Sequence, residues 1–120
     1  MQWGKLDEIE PEEKLLYQVL MWIIAPYDNR SVDHYLKEVF GPEKGLGGDP
    51  GWEIERVSDE PGGDYFRVWA DQYHSGCDHE ERRYDNATFI KAVRETLMAY
   101  AVRYPQRAAE IGKIITGYGL

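Results

Sequence analysis

Apolar residues near the start of the chain recur at three- and four-residue intervals, which is the spacing of one helix face. The densest run covers residues 15–25 and predicts a buried helix over residues 11–25, with Pro11 at its first position and Pro26 beyond its end. Because this run holds 11 residues, well below the roughly 20 that cross a bilayer, no membrane association is expected. A shorter helix is predicted over residues 32–40.

The pattern then changes to alternation of apolar and polar residues. Residues 52–57 and 65–70 alternate on either side of a turn rich in Gly and Pro, which predicts a β-hairpin. One face of the second strand is expected to enter the core: Phe66, Val68 and Ala70. The other face is expected to be half-exposed and places an arginine between two aromatic rings: Tyr65, Arg67 and Trp69. A third strand over residues 80–84 is expected to join the sheet, whereas residues 41–51, dense in Gly and Pro, predict a loop.

A continuous apolar stripe predicts a long helix that is capped by Asp85 or Asn86 and ends before Pro105. Its members are Phe89, Ile90, Val93, Leu97, Tyr100, Ala101 and Tyr104. A last helix follows Pro105 and buries its isoleucines. The order is two helices, two or three antiparallel strands and two helices, so we expect one α+β domain over residues 1–120, with helices on one side of a small sheet.

Charge is distributed unevenly along the chain. The net charge is −8, and the first 60 residues carry 14 acidic and six basic residues, whereas the remaining 60 carry eight of each. An acidic surface repels phosphates, so nucleic acid is not an expected partner. The same surface favours a basic protein partner, although it is equally interpreted as a means of keeping the protein soluble.

The loop around residue 77 contains the one cluster with the spacing of metal ligands: His74, Cys77 and His79. Zinc binds imidazole and thiolate, but a closed site needs a fourth ligand, which the neighbouring sequence does not place well. The alternative interpretation is a solvated loop, and no metal or other cofactor is expected. A lone cysteine and the lack of a signal-peptide pattern favour the cytoplasm.

Adjacent carboxylates occur in several places, but acid–base catalysis needs two groups held in unlike environments within a cleft. The pairs here fall at predicted turns, helix starts and strand edges, where solvation is the ordinary state. No nucleophile motif or phosphate-binding loop is present, so the sequence does not predict an enzyme.

Two segments resemble those of small bacterial immunity proteins, which neutralise toxins of contact-dependent growth inhibition or other polymorphic systems. They are PGGDYFRVW at residues 61–69 and YDNATFIKAVR at residues 84–94. The resemblance covers the central and third quarters of the chain and consists of a turn, a strand and a helix start. It implies a cognate toxin domain as partner and an inhibitor that covers the toxin's active site without doing chemistry itself.

Many such toxins are nucleases with basic surfaces, which the acidic half of this chain would complement. We therefore expect an acidic surface with aromatic anchors around the hairpin. Its members are Asp49, Trp52, Glu53, Glu55, Asp59, Glu60, Tyr65 and Trp69. Two other functions remain open: a small acidic regulatory or adaptor domain, and a metal-binding protein that uses residues 74–79. The sequence leaves the oligomeric state open.

Overall fold

The computed structural model describes residues 1–24, 31–40, 45–48, 51–58, 63–77 and 80–120, with residues 45–48 and His74 described by their backbone. The elements follow in the order α1 (Lys14–Ile24), α2 (Leu36–Phe40), β1 (Gly45–Gly48), β2 (Trp52–Val57), β3 (Tyr65–Ala70), α3 (Gln72–Ser75), β4 (Glu81–Asp85), α4 (Asn86–Arg103) and α5 (Ala108–Tyr118). Single 3-10 turns, Pro11–Glu13 and Pro105–Arg107, precede α1 and α5. The fold is α+β, as predicted, with N-terminal helices, a sheet and C-terminal helices.

The sheet is an antiparallel meander in which the four strands lie in the order of the sequence. Cross-strand pairs fix its register: Glu55 lies opposite Arg67, and Arg67 lies opposite Arg83. Because successive residues of a strand point to opposite faces, this register separates the side chains of β2, β3 and β4 into two sets. One set is buried beneath the helices and the other is not.

The first set forms an inner face that belongs to the core. Its buried members are Trp52, Ile54, Phe66, Val68, Ala70 and Tyr84, and the half-buried Arg56 and Arg82 lie on the same face. The ring of Phe66 stacks on that of Phe89 in α4, with centroids 3.7 Å apart. Eight of the 11 residues of α1 are buried, as its apolar run predicts, and this helix packs against both β3 and α4. None of the helices in the described ranges is long and apolar enough to cross a membrane.

Helix α4 follows β4 with no connecting residue. Asp85 ends the strand, and its carboxylate accepts a hydrogen bond of 2.7 Å from the backbone N–H of Thr88, which is an N-cap. The helix ends before Pro105, which cannot continue it. The predicted cap at Asp85 and the predicted end of the helix are both confirmed.

Four hydrogen bonds tie the N-terminal third of the chain to its C-terminal third. They join Glu12 O to Tyr84 (2.8 Å), Tyr17 to Glu95 (2.5 Å), Val32 N–H to Glu110 (2.7 Å) and Asp33 to Tyr118 (3.1 Å). Each spans between 72 and 85 positions of sequence. Directional bonds therefore connect the segments before the sheet to β4, α4 and α5, and the bond from Tyr17 to Glu95 joins α1 directly to α4.

Two elements lie where the sequence predicts a loop. Gly45–Gly48 forms β1, an edge strand that pairs with β2, because glycine-rich backbone can still complete a ladder from one side. Gln72–Ser75 forms α3, since the Asp71 carboxylate accepts a hydrogen bond from the N–H of Tyr73, and Gly76 ends the turn in the left-handed region at φ 68°. The predicted small antiparallel sheet is confirmed, and β1 adds an edge strand to the three that the sequence predicts.

Candidate functional site

The side of the sheet away from the helices forms the candidate site, and we call it the outer face. Its members are Glu53, Glu55 and Val57 on β2, Tyr65, Arg67 and Trp69 on β3, and Glu81, Arg83 and Asp85 on β4. The glutamates are exposed and the three β3 side chains are half-exposed, which confirms the predicted division of β3. The outer face is therefore a continuous surface carried on three hydrogen-bonded strands.

Arg67 lies at the centre of the outer face, with 21% of its side chain exposed, among three glutamates. Its guanidinium donates to Oε1 of Glu81 at 2.9 Å and to Oε1 of Glu53, and its Nε lies 3.8 Å from Oε1 of Glu55. Burial opposes the positive charge, but the bond to Glu81 and the attraction of Glu53 outweigh it and raise the pKa of Arg67. One cation thus gathers three carboxylates.

The charge of the outer face is negative. Four carboxylates (Glu53, Glu55, Glu81 and Asp85) stand against the two guanidinium groups of Arg67 and Arg83, an excess of two negative charges. The contacts to Arg67 engage Oε1 of each glutamate, and a carboxylate accepts up to about four hydrogen bonds over its two oxygens. The cluster therefore retains capacity for donors from another molecule.

Aromatic rings lie to either side of this cluster. The guanidinium carbon of Arg83 stands 5.1 Å from the centroid of the Tyr65 ring, within the range of a cation–π contact. Trp69 lies near Gly51: a Cβ added there would come within 4.0 Å of Cη2 of the indole. These rings add apolar contact area to a surface that is otherwise charged.

What the outer face can bind follows from its own residues. No protein-family model, curated protein or solved structure matches this chain. Clustered carboxylates favour lysine and arginine side chains of a partner, and half-exposed Tyr and Trp are typical anchors of protein interfaces. The outer face combines both of these features.

The structure separates the predicted site residues. Glu53, Glu55, Tyr65 and Trp69 lie together on the outer face, whereas Trp52 is 5% exposed and packs edge-on against Tyr35, 6.1 Å away, on the inner face. The prediction that Trp52 is an exposed anchor is wrong, because alternation places it with Ile54 and not with Glu53. The other predicted members, Asp49, Asp59 and Glu60, lie outside the described residues.

Five residues of the outer face are not in the predicted partner-binding set: Val57, Arg67, Glu81, Arg83 and Asp85. Glu81 completes the arginine cluster, and Arg83 covers Tyr65. The alternation of residues 80–84 already places Glu81 and Arg83 on one face of a strand. What the sequence does not supply is the register of β4 against β3, which brings Glu81 to Arg67.

The metal-binding alternative stays a prediction. The side chain of His74 and the whole of His79 lie outside the described part of the chain. In the part that is described, no three His, Cys, Asp or Glu side chains are grouped so as to hold a metal ion. Cys77 is half-buried, and its thiol donates to the carbonyl of Ser75 at 3.7 Å.

Proposed function

We propose that this chain is an immunity-type inhibitor that binds a basic, nuclease-type toxin domain through the outer face and occludes its active site in the cytoplasm. The observation that carries the proposal is the cluster in which Arg67 gathers Glu53, Glu55 and Glu81 on an exposed sheet surface. The resemblance of residues 61–69 and 84–94 to immunity proteins supports the same function.

The arginine has a physical role in this proposal. Free glutamate side chains lose rotamer freedom when they bind, and that loss weakens association. Here the hydrogen bonds and ion pairs to Arg67 restrict Glu53 and Glu81 before any partner arrives. The carboxylates are thus presented as a preorganised set in place of the phosphates that a nuclease would bind, and the inhibitor itself catalyses nothing.

Trp69 and Tyr65 supply the apolar part of the interface. Tight interfaces concentrate their energy in a few aromatic and arginine side chains that lose contact with water on binding. The charged cluster lies between these rings on one strand, so a partner that covers Arg67 also covers both of them. Electrostatic attraction would speed encounter, and burial of the rings would slow dissociation.

Co-expression tests the function. The candidate toxin domain encoded beside this chain's gene is expressed with and without the chain, and surviving cells are counted. We expect the toxin domain alone to kill the cells and this chain to restore their survival. We also expect the two proteins to co-purify. Lack of toxicity, or toxicity that the chain does not relieve, would overturn the inhibitor proposal. Stable binding without rescue would instead support an adaptor.

A charge variant tests the site. Replacing Glu53, Glu55 and Glu81 together by Gln is expected to weaken binding about 100-fold, if each carboxylate contributes about 1 kcal/mol. The matched control replaces three exposed glutamates elsewhere in the chain by Gln: Glu8, Glu10 and Glu38. This control makes the same change in net charge. Equal affinities for the two triple variants, with unchanged circular dichroism, would show that the outer face is not the interface.

A further inference from the structure

A groove lies along the exposed side of α4, between this helix and residues 1–5. It encloses about 780 Å³, and its lining includes Trp3, Met98 and Val102. The wall formed by the N-terminal residues is held in place, because the ring of Trp3 packs edge-on against that of Tyr100, with centroids 5.0 Å apart. The groove is therefore part of the packed fold.

The exposed side of α4 combines basic and apolar residues. Lys91, Arg94, Met98 and Val102 are exposed and follow one another at intervals of three or four residues, so they project from one side of the helix. Met98 is 54% exposed and Val102 is 80% exposed. Arg103 is also exposed and lines the groove just beyond them. We call these five residues the α4 stripe, in which an apolar pair lies between cations at both ends.

The charge of α4 is opposite to that of the whole chain. The helix carries three basic residues and one acidic residue, Glu95, in a chain whose net charge is −8. Glu95 is half-buried and accepts a hydrogen bond from the hydroxyl of Tyr17. Among the residues that the structure describes, no carboxylate lies within ion-pair distance of Lys91, Arg94 or Arg103. The α4 stripe therefore presents positive charge to other molecules.

These features match an acidic helical segment of another protein. Amphipathic helices bind in grooves through apolar side chains three or four residues apart, which is the spacing of Met98 and Val102. Arg94 and Arg103 lie nine residues apart, about 13 Å along the helix. A partner helix of about three turns spans that length, with its apolar side chains on the apolar pair and its carboxylates beside the cations.

A narrow helix suits the surroundings of the groove better than a broad anionic surface does. Asp7 and Glu8 are exposed and line, together with Lys5, a hollow next to the groove. An anionic bilayer extends over the whole side of the molecule and would also meet these carboxylates, whereas a single helix can contact the stripe alone. A second copy of α4 is disfavoured because it presents the same cations.

We propose that the α4 stripe and its groove bind an acidic amphipathic helix of a partner protein, with apolar side chains on Met98 and Val102 and carboxylates beside Arg94 and Arg103. Helix α4 packs on the inner face of the sheet through Phe89, so this site is separate from the outer face. The chain then carries one surface for a basic partner and another for an acidic one. The proposal does not depend on toxin binding.

Binding of a synthetic peptide to the full chain tests the proposal by fluorescence anisotropy. The labelled peptide is an alanine-based helix of about 15 residues with two Leu four residues apart and two Glu on either side of them. We expect saturable binding that weakens as salt is added, because salt screens exposed charges. A second peptide with Gln in place of every Glu keeps the Leu pair and is expected to bind about tenfold more weakly.

Charge variants of the chain locate the binding site. Arg94→Glu combined with Arg103→Glu places carboxylates opposite those of the peptide and is expected to weaken binding at least about tenfold. The matched control is Lys37→Glu combined with Lys113→Glu, which makes the same change in net charge at two exposed positions outside the stripe. This control is expected to bind within about twofold of the parent chain, and circular dichroism checks that both variants are folded.

A third variant tests the apolar pair without changing charge. Met98→Ser combined with Val102→Ser is expected to weaken binding about tenfold, since it removes apolar area that the peptide would cover. Lack of saturable binding to the parent chain up to about 1 mM peptide, or equal affinities of the stripe variants and the lysine control, would overturn the proposal. Co-sedimentation with anionic phospholipid vesicles that this serine variant loses, without peptide binding, would overturn it in favour of a membrane surface.

Discussion

The two faces of the sheet are built from the same three strands, but they hold their side chains in different ways. On the inner face, Phe66 is held by contact with Phe89 and by exclusion of water. On the outer face, the neighbouring residue Arg67 is held by three carboxylates and remains partly in water. Adjacent positions on β3 are therefore held by different forces, one by apolar packing and the other by charge.

This contrast has an energetic basis. Burying an aromatic ring contributes several kcal/mol, whereas exposed ion pairs contribute about 1 kcal/mol or less each. Charged residues of the outer face can therefore be substituted with little loss of stability, whereas substitutions that change the size or shape of inner-face side chains destabilise the fold. Substitutions on the two faces should separate loss of stability from loss of binding.

The largest expected effect is on the inner face. Phe66→Ala removes the ring stacked on Phe89 and leaves a cavity, so the free energy of unfolding should fall by about 3–5 kcal/mol. Urea denaturation measures it. The matched control is Tyr65→Ala, which truncates the adjacent ring on the outer face and should cost about 1 kcal/mol or less. Equal losses at the two positions would contradict the difference between the faces.

Tyr84 extends the inner face to the start of α1. Its hydroxyl donates to the carbonyl of Glu12 at 2.8 Å, so Tyr84→Phe should lower the free energy of unfolding by about 1–2 kcal/mol at pH 8. Burial raises the pKa of Tyr84 to about 12. In the unfolded chain this tyrosine ionises near pH 10, at lower pH than in the folded protein. The contribution of Tyr84 to the free energy of unfolding is therefore lost as the pH rises from about 10 towards 12.

The stability gap between wild type and Tyr84→Phe should therefore be smaller at pH 10.5 than at pH 8. Urea denaturation at the two pH values checks this. Tyr118, whose pKa burial and Asp33 also raise to about 12, is present in both proteins and cancels in the comparison. A gap that widens at high pH would mean that Tyr84 is not buried as described.

Asp85 tests the junction of the outer face with α4. Asp85→Ala removes the N-cap and should cost about 1 kcal/mol at pH 7. Hydrogen bonds from Thr88 lower the pKa of Asp85 in the folded protein. The contribution of Asp85 to the free energy of unfolding is therefore fully present above its unfolded-state pKa near 3.9, and it is lost as the pH falls through the lower pKa of the folded state. Asp85→Asn keeps a capping oxygen that does not titrate, and it should show a smaller loss with little acid dependence in the same denaturation series.

The smallest expected effect is at the centre of the outer face. Arg67→Gln leaves Glu53, Glu55 and Glu81 without their shared cation and should lower the free energy of unfolding by about 1 kcal/mol or less at low salt. The loss should shrink in roughly 1 M salt, where the Debye length is about 3 Å. Lys37→Gln on α2 removes the same charge from an exposed position and should show less salt dependence. A salt-independent loss at Arg67 would indicate packing, not charge.

The sequence predicts those features that depend on local periodicity. The helix spacing of residues 15–24 and 89–100 and the alternation of residues 65–70 each correspond to an observed element, and the Asp85 cap is where the residue types place it. Alternation also separates Phe66 from Arg67 correctly. These features need no knowledge of distant residues.

What the sequence does not predict depends on register and on context. β1 forms because an edge strand needs only one partner, and that pairing outweighs the low strand propensity of glycine. Glu81 reaches Arg67 through the β3–β4 register, which no local pattern specifies. Clustering around the hairpin predicts a partner-binding role for Trp52, whereas its position in the alternation, shared with Ile54, makes it a core residue.

The four hydrogen bonds between the first and last thirds of the chain also bear on how the protein is made. Tyr17 of α1 bonds to Glu95, which is synthesised 78 residues later. At about 5–20 residues per second, α1 therefore exists for roughly 4–16 s before this partner has been made. During that interval the buried side of α1, which includes Leu16, Leu20 and Ile24, has few native partners beyond the ribosome exit. During high-level expression the apolar side of nascent α1 is therefore exposed and prone to aggregation. The yield of folded protein should then depend on how much chaperone is available during translation.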